Sequence, residues 1–68
     1  MEVRYIMTIH KDGYTIVSSL REPDYFRSSY FWSLTVGKND RILLEQDYPI
    51  TFREEEVLSI GLSYAHDL

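Results

Sequence analysis

Residues 3–20 read VRYIMTIHKDGYTIVSSL, and the architecture of the whole chain turns on how they pair. Val3, Tyr5, Met7 and Ile9 alternate with Arg4, Ile6, Thr8 and His10, a period of two that sends successive side chains to opposite faces of a strand. Asp12-Gly13 follows, a strong short-range signal for a type I′ turn, whose two central residues both need positive φ. Residues 14–20 then return. A two-residue loop pairs Ile9 with Ile16, Met7 with Ser18 and Tyr5 with Leu20, all on one face, so register and hydrophobic pattern agree.

Downstream, residues 21–29 break the pattern. Pro23 pushes Glu22 into an extended conformation and suits the first position of a helical turn. The expectation is a loop that anchors itself through Tyr25 or Phe26, with a turn of helix at 23–28 as the alternative. Alternation resumes at 30–36, with Tyr30, Trp32, Leu34 and Val36 on one side and Phe31, Ser33 and Thr35 on the other. A three-residue loop from Lys38 to Asp40 would bring Ile42 and Leu44 onto the Trp32 face, pairing Val36 with Ile42 and Leu34 with Leu44. A bend at Pro49 precedes a helix expected to start at Thr51, with Thr51 and Glu54 at capping-box spacing and Glu54, Glu55 and Glu56 favoured by the helix dipole. Val57, Leu58, Ile60, Leu62, Tyr64, Ala65 and Leu68 form a wide apolar arc, opposite Glu55, Glu56, Ser59, Ser63, His66 and Asp67. Gly61 sits within that arc, and a glycine inside a helix implies close packing, by Trp32 or Tyr5 of the sheet or by a second helix. The fold class expected is α+β: a small antiparallel four-stranded sheet of two hairpins with one C-terminal helix on one face, ββββα, as a single domain over residues 1–68.

Composition narrows the function. Sixty-eight residues form one small core, and with no Cys neither disulfides nor thiolate zinc sites are available to staple it. Two histidines, His10 and His66, lack partners at metal-ligand spacing, so neither a metal nor a cofactor is expected. No apolar run exceeds three residues, which leaves no transmembrane helix. Met1-Glu2-Val3-Arg4 lacks the basic-then-apolar plan of a signal peptide, so a cytoplasmic location is the expectation. The net charge is −4 and the seven cations are scattered singly, which disfavours nucleic-acid binding. No catalytic constellation can be nominated, and an enzyme is not expected. Asp24, after Pro23, reads as a turn-starting residue.

The run from Tyr5 to Val17 (YIMTIHKDGYTIV) resembles the first hairpin of HicB-type antitoxins. That family's Pro-Gly-Cys turn and its helix between the third and fourth elements are absent, so membership does not follow. Tyr25, Phe26, Tyr30, Phe31 and Trp32 are more aromatics than one face of a small sheet needs, and tyrosine and tryptophan dominate binding hot spots. The leading expectation is therefore a non-catalytic protein-interaction module: a small acidic regulator or inhibitor of phage, mobile-element or antitoxin-like type. Tyr25, Tyr30 and Phe31 would anchor a partner protein, and Glu45, Asp47, Glu55 and Glu56 would steer it through a basic surface. Two alternatives stand beside it. One is a homo-oligomer, such as a homodimer, paired through an open sheet face carrying Ile6, Val17, Phe31 and Leu43, or through the Gly61 groove. The other is a sheet-face nucleic-acid binder, which needs Arg4, Lys38 and Arg41 to cluster.

Overall fold

The computed structural model describes the backbone of residues 3–67 and the side chains of residues 6–65. Asp12 and Gly13 adopt φ of 52° and 83°, the left-handed pair a two-residue turn demands, and close the hairpin of β1 (Val3–Lys11) and β2 (Tyr14–Arg21). The pairs Ile9 with Ile16, Met7 with Ser18 and Tyr5 with Leu20 form as the alternation dictates. β3 (Phe31–Lys38) and β4 (Arg41–Pro49) add in chain order, giving an open antiparallel sheet β1-β2-β3-β4 followed by one helix, α1 (Glu54–Asp67).

The second hairpin departs from expectation. Its loop has two residues, Asn39 and Asp40, with φ of 53° and 61°, so Lys38 faces Arg41 and Gly37 faces Ile42. The extra residue lies inside the strand instead. The register shifts after Gly37, and Val36 then pairs with Leu44, Leu34 with Gln46 and Trp32 with Tyr48. Leu43 is the bulged residue, and the Tyr64 hydroxyl donates to its carbonyl at 3.2 Å, giving a ladder-disrupted group a partner. A side chain at Gly37 would press within 3.0 Å of the Arg41 carbonyl, so this bulge needs a bare backbone opposite it. Leu44 still reaches the inner face, but Ile42, expected on the Trp32 face opposite Val36, instead pairs with Gly37 and is 63% exposed.

The helix also begins later than Thr51. The Phe52 N–H donates to the Pro49 carbonyl at 3.1 Å, closing a turn over residues 49–52, while the Phe52 carbonyl accepts the Trp32 indole N–H at 2.9 Å. With Phe52 tied to the sheet, Arg53 becomes the cap. Its carbonyl accepts from the Glu56 and Val57 amides, and its own N–H donates to Glu56 Oε1 at 2.9 Å. The reciprocal half of a capping box thus forms, two residues downstream of the expected one and with Glu56 in place of Glu54.

The helix crosses the two central strands, where Ile16, Leu34, Val36 and Val57 are fully buried and Trp32 and Ala65 nearly so. Gly61 lies at the contact. A Cβ there would stand 2.6 Å from Ile16 Cγ2 and 3.0 Å from Leu34 Cδ1, so it is these two sheet residues, rather than Trp32, that occupy its groove. The side chains of Arg4, Tyr5, His66, Asp67 and Leu68 lie outside the described residues. Ser18 is an oddity of the inner face: it pairs with Met7 and Leu34, is fully buried, and its hydroxyl has no hydrogen-bond partner.

Two stability measurements follow. Gly61→Ala gains about 1 kcal/mol of helix propensity but overpacks against the branched, fully buried Ile16 and Leu34, an effect of about 1–3 kcal/mol. The expected result is a lower urea midpoint at unchanged m-value. Ser18→Ala removes an unsatisfied buried hydroxyl and is expected to raise stability by about 1 kcal/mol in the same assay.

Candidate protein-interaction surface

Residues 22–30 connect β2 to β3 without a helix, and a single carboxylate organises their tip. Asp24 Oδ1 accepts the Phe26 amide at 2.9 Å and the Arg27 amide at 2.8 Å, while the Asp24 N–H donates to the Arg27 carbonyl at 2.9 Å. This is the turn-starting role that an Asp after proline is suited to. It holds Tyr25 and Phe26 at the apex, 94% and 89% exposed, with their rings edge to face at 5.3 Å. Neither anchors the loop.

Arg27 does. Its guanidinium lies 4.4 Å from the centre of the Phe31 ring and donates through Nη2 to Asp47 Oδ2 at 2.6 Å. Phe31 stands on the outer sheet face, in register with Arg21 and Pro49, and is only 5% exposed. It is therefore part of the packed structure and not a free anchor, a correction that follows from Arg27 lying over it. Tyr30 likewise does not continue β3 inward; it precedes the strand and is partly exposed. Arg27, Tyr30, Phe31, Asp47, Tyr48 and Ile50 are among the residues lining an open groove of about 530 Å³ beside the tip.

The expected acids separate into two groups. Glu45 and Asp47 pair with Thr35 and Ser33 on the outer face, whereas Glu55 and Glu56 sit on the exposed side of the helix that covers the inner face. Asp47 is already neutralised by Arg27, Glu56 caps the helix, and Glu55 lies 3.9 Å from Arg53 in an exposed pair. Among the described residues Glu45 alone of the four has no hydrogen bond or ion pair to a cation or an amide, and it is exposed. Thr8, Thr15, Ser19, Ser33 and Thr35 share the outer face with Ile6, Val17 and Arg21. The register interposes Ser19 and Ser33 between Ile6 with Val17 and Phe31, so no continuous apolar stripe runs across it. The same register puts position 4 at the opposite end of the sheet from Lys38 and Arg41, away from the cluster a nucleic-acid face would need.

Among the described residues no group of three His, Cys, Asp or Glu side chains is placed to hold a metal ion, and no helix is long and apolar enough to cross a membrane. His10 is exposed at the turn end, its Nδ1 3.2 Å from the Thr15 hydroxyl. No protein-family model matches the chain, and neither a curated protein nor a solved structure matches it significantly.

Sequence reasoning passed over Phe26, Arg27 and Ile50 as surface elements. Asp24 three residues before Arg27 was the available signal for the first two, since an Asp-led turn puts residues 25 and 26 at its apex. The contact between Arg27 and Asp47 was hidden because it depends on the register beyond the bulge.

Arg27→Ala uncovers Phe31 and frees the loop. An ion pair this exposed is worth about 0–1 kcal/mol, and a cation–π contact about 0.5–1 kcal/mol. The expected outcome is a global stability loss of no more than about 2 kcal/mol, with amide exchange and protease cleavage accelerated selectively within residues 22–30.

Proposed function

We propose that the chain is a non-catalytic protein-interaction module that acts by occupying a partner protein, with Tyr25 and Phe26 as its anchor. The supporting observation is that two aromatic side chains stand almost wholly in water on a turn already ordered by three hydrogen bonds. Neither ring contributes to the core, and large aromatics are the residues whose burial dominates protein interfaces. A preordered turn also lowers the conformational entropy lost on binding. Tyr30 and Ile50, both partly exposed, extend the surface along the adjoining groove.

The net charge of −4 favours encounter with a basic partner surface, and Glu45, Glu55 and Glu56 contribute to that field from both sides of the molecule. Asp47 adds little, because Arg27 balances it. A small acidic regulator or inhibitor of the phage, mobile-element or antitoxin-like type, working in the cytoplasm, is the kind of protein this reading describes. The surface assigned by sequence alone thereby shifts from Tyr25, Tyr30 and Phe31 to Tyr25, Phe26, Tyr30 and Ile50.

Affinity capture from lysate of the source cell tests the reading with wild type and with Tyr25→Ala combined with Phe26→Ala. A specific partner retained by the wild type should be lost by at least about tenfold in the double variant, corresponding to about 1.4 kcal/mol. Circular dichroism and thermal midpoint should be unchanged. A partner held equally by both proteins, or no specific partner, overturns it.

A further inference from the structure

We infer that a second copy of this chain can seat against the aromatic tip, in a two-fold dimer where Tyr25 and Phe26 of each copy enter the other's groove; this rests on reading that tip as an anchor. A two-fold interface uses the same patch on both copies, so the patch must hold both the projecting and the receiving half. The loop supplies both. Tyr25 and Phe26 project, and the residues that directly follow, from Arg27 to Phe31, line the groove together with Asp47 to Thr51.

Size and area agree. The open groove's volume of about 530 Å³ lies within the about 300–1,000 Å³ of clefts that take drug-sized ligands. A buried tyrosine or phenylalanine contributes about 150–250 Å². Two of them therefore supply roughly half of the about 800 Å² per partner that a stable dimer needs. Tyr30 and Ile50 at the rim add further apolar area.

Charge removes the usual objection to self-association of an acidic chain. The groove's Arg27 and Asp47 neutralise each other across 2.6 Å, while Glu55 and Glu56 lie on the helix layer behind the sheet. Like-charge repulsion is thus not concentrated where the copies would meet. The open edge of β4 is a poorer site, because exposed Glu45 and Gln46 and the bulge at Leu43 are devices that oppose strand-to-strand pairing. A short chain with no cysteine also gains most from burying apolar surface against a partner.

Sedimentation of the full chain at increasing micromolar concentration should show a species of twice 8.1 kDa. Tyr25→Ala with Phe26→Ala, which removes the projection, and Ile50→Arg, which blocks the groove, should each weaken dimerisation at least tenfold. An equimolar mixture of the two should dimerise more tightly than either alone, because one intact projection then meets one intact groove. Photo-cross-linking from a benzophenone side chain at position 26 to residues 47–51 of another copy provides an independent readout if Ile50→Arg impairs folding. A wild type that stays monomeric overturns the dimer, and so does a dimer that survives both variants, or a mixture with no gain. A monomer whose captured partner still depends on Tyr25 and Phe26 sinks the dimer alone and leaves the proposed function standing.

Discussion

The helix lies as close to the sheet as it does because position 61 carries no side chain. Ile16 Cγ2 and Leu34 Cδ1 occupy the space a Cβ would take, and Val36 Cγ2 lies just beyond. Sinking one turn of helix into the central strands brings Val57 and Ala65 down on either side of that contact and closes the buried cluster. Glycine's penalty in a helix interior is outweighed here by close packing, in which each additional buried methylene contributes about 0.8 kcal/mol. One helix centred on β2 and β3 cannot equally cover all four strands. The flanking Leu44 and Tyr48 of β4 are accordingly only half-buried, and Tyr64, packed against the edge of the core, carries its hydroxyl out to the bulge.

The far side of the sheet is handled differently. It has no second layer, yet Phe31 on it is only 5% exposed. The link between β2 and β3 therefore folds so that Arg27 covers the ring and finds its counter-charge in Asp47 of β4. Covering Phe31 with an arginine stem and guanidinium, an apolar body with a hydrated head, uses a residue that can stay partly in water. Tyr25 and Phe26 are thereby released from any internal duty. The exposed aromatics and the buried one are two results of the same turn.

How far the sequence was legible depends on how many constraints met at each element. In the first hairpin the Asp12-Gly13 turn, the alternation and the loop length all demanded one register, and that register formed. In the second, parity required an odd residue between Val36 and Leu44 but did not say where. A three-residue loop and a two-residue loop with a bulge satisfy parity equally, and the second was realised because Asn39 and Asp40 both accept left-handed φ. Leu44 kept its face, while Ile42 lost its place. The helix start slipped for a tertiary reason: no local pattern reveals that the Trp32 indole will claim the Phe52 carbonyl. At the interaction surface the aromatic run stood out, but which rings it would hide depended on Arg27, whose partner lies twenty residues away.

That bond between Trp32 and Phe52 has an optical consequence. Trp32 is the chain's one tryptophan, nearly buried, and its indole N–H is fixed to the segment joining β4 to α1. Its fluorescence therefore watches a single joint, the place where sheet becomes helix, while circular dichroism averages over the backbone. Where the two signals melt together the joint and the fold are one cooperative unit; where tryptophan emission shifts first, the helix is lifting from an intact sheet.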